Sequence, residues 1–279
     1  MSYIRITIHI PDHYQEMLIA ELLDMDYYGF EQFDGRLEAY INKAHFNDVS
    51  REFLEQILSI HPVQPDFEID EIEEKNWNQE WESRIEARKI GNFFLRPTWN
   101  NTEPPEGQLL IEIDPKMSFG TGYHETTRLM LKKLSELNLH HKTVLDAGTG
   151  TGILGIAAIK LGADYVFAFD IDPWSEKNAT ENSVINNVSG KMTIIEGGEE
   201  VIPGQKFDMA LANINRNVLI NMLPKLSDAV MEEGDILLSG ILITDKSLMI
   251  NRIEELGLKI IDINTEGDWI LFHLQKRGN

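Results

Sequence analysis

Cysteine is absent from the 279-residue sequence, which excludes disulfides, thiolate catalysis and cysteine-based metal sites. Basic side chains are scarce: 25 Lys and Arg stand against 46 Asp and Glu, a formal net charge of −21. A field of that sign repels a phosphate backbone, so direct nucleic-acid binding is not expected. The acidity leaves two readings open, solubility alone or steering toward a basic partner. No apolar run approaches the roughly 20 residues of a membrane span. The opening MSYIRITIHIPDHY lacks a basic segment followed by a long apolar stretch. No membrane association or secretory signal is therefore expected, and the cytoplasm is the default compartment. No internal repeat, low-complexity tract or metal-ligand spacing is visible. His140 and His141 are adjacent rather than four apart and read as a solvated pair.

What is present is an ordinary globular composition, 42% hydrophobic and 25% charged, in a length that suits one large domain plus a smaller one. Residues 3–10 (YIRITIHI) alternate as a half-buried strand does. An amphipathic stretch with Met17, Leu18, Leu22 and Leu23 on one side follows Pro11 and Asp12 and ends at Gly29. Two short strands, Phe30–Phe33 and Leu37–Ile41, flank Asp34-Gly35, a hairpin signal. Residues 47–59 read as a second helix with Asn47 as its cap. The order β-α-β-β-α predicts a small α+β domain of ferredoxin-like type over residues 1–65. Residues 66–107 read as a linker and connecting segment. Its acidic stretch 66–82 is expected as a linker helix, with Trp77 and Trp81 on one face. Three prolines mark a boundary loop over 97–107.

From residue 143 the pattern changes. TVLDAG, YVFAFDID, MTIIEGG, FDMALANI and DILLSGIL are short apolar runs separated by helical stretches. That pattern predicts βαβ units and a parallel sheet, an α/β domain over residues 108–279. KIIDIN and WILFHLQ flank TEGD as a hairpin, so the last strand is expected to run antiparallel.

The chemistry centres on VLDAGTGTG, residues 144–152. A strand ending in Asp146 runs into Gly148, Gly150 and Gly152, which let the backbone approach a ligand while the next helix presents its N-terminus. A dinucleotide fingerprint starting at Gly148 needs glycine at 153, where this chain has Ile153. The second strand ends with Asp170, twenty-two residues past Gly148, placed to accept hydrogen bonds from ribose hydroxyls. Asp172, ahead of Pro173, reads as a helix cap. The fourth strand ends at Asn213, where open α/β sheets place their ligands. Its neutral amide can orient an acceptor nitrogen without stabilising the unreactive ammonium form; as a turn residue it would do nothing. Upstream lies MSFGTGYHETTRLML, residues 117–131. By local chemistry alone, Thr126 and Thr127 would cap the helix that starts near Glu125, and His124 would be a packed loop histidine.

FGTGYHETT, VLDAGTGTGILGIAAIKLGA, DIDP and LANI, in that order and spacing, resemble the ribosomal protein L11 methyltransferase family. WNQEW upstream and GILITD and EGDWILF downstream also match its pattern. The resemblance is strong over about residues 76–279 and rests on architecture alone over 1–65. It implies a seven-stranded Rossmann-like class I methyltransferase domain joined to an N-terminal substrate-recognition domain. It also implies S-adenosyl-L-methionine as cofactor, and ribosomal protein L11 as partner, trimethylated on lysine side chains and its N-terminal amine. Carried over residue by residue, it implies that Thr127 contacts the methionine portion of the cofactor. Gly148 becomes the first glycine of the cofactor loop, Asp170 the ribose-binding acid, and Asn213 both a cofactor contact and the catalytic residue. Phe119 and Gly150 join the expected cofactor contacts, and no metal is expected. LANINRN departs from the pattern at Asn215 and Arg216, where many relatives carry small or apolar residues. Two rivals remain: a methyltransferase of the same fold acting on another protein or a small molecule, and a non-catalytic cofactor-binding module.

Overall fold

The structure, a computed structural model, describes residues 2–23, 25, 27, 29–43, 45–60, 63, 65–73, 86–114, 116 and 118–278. The chain forms two compact units, Met1–Trp81 and Glu82–Asn279.

The first unit is built from β1 (Ser2–Ile8), α1 (Asp12–Leu23), β2 (Gly29–Phe33), β3 (Arg36–Asn42), α2 (Asp48–Ile60) and β4 (Phe67–Glu73). Its antiparallel sheet has the order β2-β3-β1-β4, the split β-α-β arrangement of ferredoxin-like folds. Alternation in β1 sets the register. Ile4, Ile6 and Ile8 oppose Ile41, Ala39 and Leu37, and all six are buried together with Leu18 and Leu22 of α1 and Leu54 and Leu58 of α2. Asn47 caps α2, its Oδ1 accepting from the amides of Val49 at 3.0 Å and Ser50 at 3.1 Å. The linker helix expected after Pro65 is corrected here. Phe67–Glu73 is a strand paired along its length with β1. FEIDEIE places Phe67 and Ile69 opposite Ile8 and Ile6, and this pairing outweighs the polarity that made the segment read as a linker. Trp77 and Trp81 lie outside the described residues.

In the second unit, β5 (Arg88–Ile90), β6 (Phe93–Arg96) and β7 (Leu109–Glu112) form a small sheet. After α3 (Glu125–Leu134), strands and helices alternate: β8 (Thr143–Ala147), α4 (Ile153–Lys160), β9 (Tyr165–Asp170), α5 (Pro173–Ile185), β10 (Met192–Glu196), β11 (Phe207–Asn213), α6 (Arg216–Ala229), β12 (Val230–Leu242), α7 (Lys246–Glu255), β13 (Lys259–Glu266) and β14 (Trp269–Gln275). The seven strands are ordered β10-β9-β8-β11-β12-β14-β13. β8 to β12 are parallel, and β14 runs antiparallel to both of its neighbours. Both faces of the sheet are covered. Val144, Met209 and Leu211 pack with α3 and α4, whereas Leu145, Ala210 and Ala212 pack with α6 and α7. The strand order reverses between β8 and β11, so the crevice at their carboxyl ends is the topological switch point where such folds bind ligands.

Candidate active site

The loop after β8 is fixed from below by Asp146. This carboxylate is fully buried and accepts from Thr149 Oγ1 at 2.7 Å and the Gly155 amide at 3.1 Å. Its other oxygen has no partner. Burial pushes its pKa up to about 6, against the pull of Thr149 and Gly155, and the charge of Asp170 adds to the rise. The glycines above it meet steric demands that no other residue satisfies. Gly148 and Gly150 have φ of +69° and +55°. A Cβ at Gly148 would lie 2.3 Å from the Ile214 side chain, and one at Gly150 would lie 2.3 Å from the Phe119 carbonyl oxygen. The loop is also tied to the upstream segment. Thr151 donates its amide to Phe119 O at 2.9 Å and its hydroxyl to Gly120 O at 2.7 Å.

At the end of β9, Asp170 accepts from the Gly150 amide at 2.8 Å through Oδ2 and from the Asp172 amide at 3.0 Å through Oδ1. Each oxygen keeps a further lone pair. Asp172 caps α5, accepting from the Trp174 amide at 3.1 Å. At the end of β11, Asn213 donates Nδ2 to Thr127 Oγ1 at 3.4 Å, while its buried Oδ1 has no partner. The helix cap before α3 differs from the sequence reading. His124 itself occupies the cap, its Nδ1 accepting from the Thr126 amide at 3.3 Å and lying 2.9 Å from the Thr126 hydroxyl. Thr126 and Thr127 are buried within the first turn. The His124 ring stands edge-on to Phe119 at 5.2 Å and to Trp269 at 4.7 Å.

These ends surround a cavity of about 600 Å³. Phe119, Gly148, Gly150, Asp170 and Asn213 all line it; Thr127 does not but touches Asn213. The atypical pair after Asn213 is accounted for. Asn215 caps α6 by accepting from the Val218 amide at 3.1 Å, and Arg216 pairs with Asp245 at 2.6 Å. Among the lining residues that the sequence reading did not single out are Trp269, Ser118 with its unpartnered buried hydroxyl, and Gly240. The EGDW turn signals a hairpin; that its second strand returns beside β12, with Trp269 opposite Leu242 at the sheet's carboxyl end, is not visible in the nearby sequence.

Among the described residues, the lining includes Asp170 and Asp172 and neither Lys nor Arg. Such a cavity disfavours a pyrophosphate and suits a cation. Close backbone approach at two glycines, spare lone pairs on Asp170 and the orphaned Asn213 Oδ1 fit a sulfonium nucleoside with an amine beside it. Among the described residues, no group of three His, Asp or Glu side chains is placed to hold a metal ion.

Residues 6–277 match the sequence model of the family described as ribosomal protein L11 methyltransferase (PrmA). The ribosomal protein L11 methyltransferase of Chlorobaculum parvum is 35% identical over 278 residues, covering 96% of this chain and 95% of that protein. The protein of the same name from Phocaeicola vulgatus is 35% identical over 250 residues, covering 86% of this chain and 87% of that one. A crystal structure of ribosomal protein L11 methylase from Lactobacillus delbrueckii subsp. bulgaricus superposes with a TM-score of 0.65 at 29% identity, over 69% of this chain and 99% of that one.

Proposed function

The chain belongs to the ribosomal protein L11 methyltransferase family, and from that premise we propose that it transfers methyl groups from S-adenosyl-L-methionine to amines of ribosomal protein L11, lysine side chains and the N-terminal amine among them. The observation that carries this reading is the cavity itself. Among the described residues its lining is acidic and free of Lys and Arg, it is floored by a glycine loop, and it holds at one wall a buried amide oxygen without a partner.

In this reading Asp170 accepts the ribose hydroxyls, and Gly148 and Gly150 let the loop backbone lie against the cofactor. Phe119 covers the cofactor, and Thr127 orients its methionine portion. The bound cofactor supplies an activated methyl group with a good leaving group. The protein supplies orientation and a reactive amine. Free lysine has a pKa of about 10.4, so only about one molecule in several thousand is neutral at pH 7. A carboxylate beside the acceptor would favour the ammonium form. The Asn213 amide oxygen accepts an N–H without adding charge and aims the nitrogen lone pair at the methyl carbon. With the cofactor bound, Asn213 would hold the amine in line with the methyl group, the pair of the broken methyl–sulfur bond would stay on sulfur, and the methylated ammonium would give its proton to solvent.

The first unit is the proposed recognition domain. Residues 1–81 hold eighteen acidic and five basic side chains, which suits a basic ribosomal protein. No helix among the described residues is long and apolar enough to cross a membrane, and a ribosomal substrate fits the expected cytoplasmic location. Incubating the purified chain and L11 with isotopically labelled cofactor, then mapping methylated sites by mass spectrometry, tests the proposal. Methyl transfer to L11 amines is the expected result; transfer only to another protein or small molecule, or none at all, would reject it.

A further inference from the structure

We propose that Trp269 and Phe119, held at their angle by His124, form an aromatic seat that grips the acceptor nitrogen more tightly as methyl groups accumulate on it, so that these rings set how many methyl groups one amine receives. The inference rests on reading the cavity as the methyl-transfer site.

Besides Phe169, the rings of Phe119, His124 and Trp269 line the same cavity as Asn213. They do not stack face to face. The interplanar angles are 60° for Phe119 and His124 and 68° for His124 and Trp269, so each edge-on contact leaves ring faces uncovered. Phe119 is 52% exposed and Trp269 is only partly buried, and both border the cavity. Packed cores seldom leave such faces unpartnered. His124 is positioned in turn by its hydrogen bonds to Thr126, and Thr127, the next residue, touches Asn213. The rings and the amide oxygen therefore belong to one rigid constellation at the start of α3.

The chemistry of repeated transfer explains why both are needed. Asn213 Oδ1 holds an acceptor only through an N–H. Starting from the neutral amine, each of the first two transfers replaces one N–H by N–CH3: the lone pair forms the N–C bond, the methyl–sulfur bond leaves its electrons on sulfur, and the ammonium loses a proton to solvent before the next round. The dimethylated amine that enters the third transfer has given up its last N–H with that proton, and its product is a permanent cation, so Asn213 Oδ1 has nothing to accept from either. Methylated ammonium ions are large, weakly hydrated cations, the ligands that aromatic faces bind best. Two acidic residues and no Lys or Arg among the described lining residues favour the same charge. Hold on the nitrogen thus passes from the amide oxygen to the rings as methylation proceeds.

Two measurements on the full-length chain test this. With L11 and labelled cofactor, Trp269→Leu should slow the third transfer at least about ten-fold more than the first, so that mono- and dimethyl products accumulate, while Trp269→Phe restores the wild-type product distribution. By calorimetry in the presence of S-adenosylhomocysteine, wild type should bind free Nε-trimethyllysine more tightly than lysine. Trp269→Leu should reduce that preference roughly 3- to 30-fold. An unchanged product distribution in a folded Trp269→Leu variant, or no preference for trimethyllysine in wild type, overturns the inference. So does a loss of S-adenosylhomocysteine affinity matching the loss in turnover, which would place the ring against the cofactor. A wild-type chain that transfers no methyl group to L11 would overturn the functional reading instead, since the seat could then still be seen by calorimetry.

Discussion

Asn213 and Thr127, 86 residues apart in sequence, meet through one hydrogen bond, Asn213 Nδ2 to Thr127 Oγ1 at 3.4 Å. The contact turns the amide so that Oδ1 is left without a partner. Both residues sit at element ends, one closing β11 and one in the first turn of α3, so their separation is set by the sheet rather than by a loop. On the proposed reading this bond fixes the catalytic amide.

Asn213→Ala should therefore lower turnover more than cofactor affinity, because the amide orients the acceptor in the transition state. Loss of one well-placed hydrogen bond to a group gaining charge costs about 1.5–3 kcal/mol, roughly 10- to 150-fold in kcat. Thr127→Val should reproduce part of that loss and Thr127→Ser should not. Steady-state kinetics with L11, alongside calorimetric Kd values for S-adenosylhomocysteine, separate the two effects. Normal turnover with ten-fold weaker cofactor binding would reassign Asn213 to the cofactor alone.

Asp170→Ala should weaken cofactor binding by roughly 10- to 150-fold, the cost of removing hydrogen bonds to a charged acceptor. Asp170 also accepts from the Gly150 and Asp172 amides, so the alanine variant should lose thermal stability as well. Asp170→Asn keeps an acceptor oxygen and should lose less of both. Calorimetry and thermal unfolding on the two variants check this. Unchanged affinity in a folded Asp170→Ala chain would remove the ribose role.

Gly150→Ala should destabilise the chain and abolish cofactor binding together. The new Cβ would have to occupy a left-handed conformation, φ +55°, and lie 2.3 Å from the Phe119 carbonyl oxygen. The conformation alone costs about 1–2 kcal/mol, and the backbone oxygen cannot yield without opening the Phe119–Thr151 hydrogen bond. A variant with wild-type melting temperature and affinity would show that the two segments separate readily.

Much of this was legible in the sequence because its signals are local. Continuous apolar runs give a parallel sheet, glycines at 148, 150 and 152 give a tight turn, and Asp172-Pro173 gives a helix cap. What was missed depends on partners far away in sequence. β4 is a strand because β1 supplies its ladder, with Asp70 reaching Arg5 at 2.9 Å; alone, FEIDEIE looks like an acidic linker. Asn178, Asn182 and Asn186 read only as helix residues, yet their spacing of four puts them on one face. There they bond the backbone of Glu112 and Asp114 at 2.6–3.0 Å. Trp269 joins the site because β14 returns beside β12, which no pattern near residue 269 reveals.

The buried Asp146 predicts a pH dependence of stability. Its carboxyl is held at about 6 in the folded chain against an ordinary value of 3.8, so the folded state binds the proton more tightly than the unfolded state. Below about pH 4 both states are protonated and the group costs nothing. Between about pH 4 and 6 stability falls as pH rises, and above 6 the cost of the buried charge is fully present. A shift of this size corresponds to about 3 kcal/mol. Asp146→Asn carries no charge and keeps an oxygen for Thr149 and Gly155, so it should gain on wild type by about that amount between pH 4 and pH 7. Denaturant unfolding of both proteins across this range checks it, because titrations common to the two cancel in the difference. A difference that stays flat with pH would show that Asp146 is charged in the folded state at pH 4 as it is at pH 7.

Charge reversal on the first unit tests the proposed recognition role. Glu31 and Glu68 are exposed on β2 and β4, and their registers place both on the sheet face opposite Ile6 and Ala39. If this unit holds L11 by complementary charge, Glu31→Lys with Glu68→Lys should raise KM for L11 several-fold and leave kcat near wild type, since remote binding energy is lost without touching the reacting atoms. The effect should shrink as salt rises, because exposed charges are screened beyond roughly 10 Å at 0.1 M ionic strength. Cofactor affinity serves as the internal control, because its proposed site lies wholly in the second unit. If the double variant methylates L11 with wild-type KM at low salt, charge on this face plays no part in recognition. A matching fall in kcat would instead mean that the first unit supports the catalytic unit rather than the substrate.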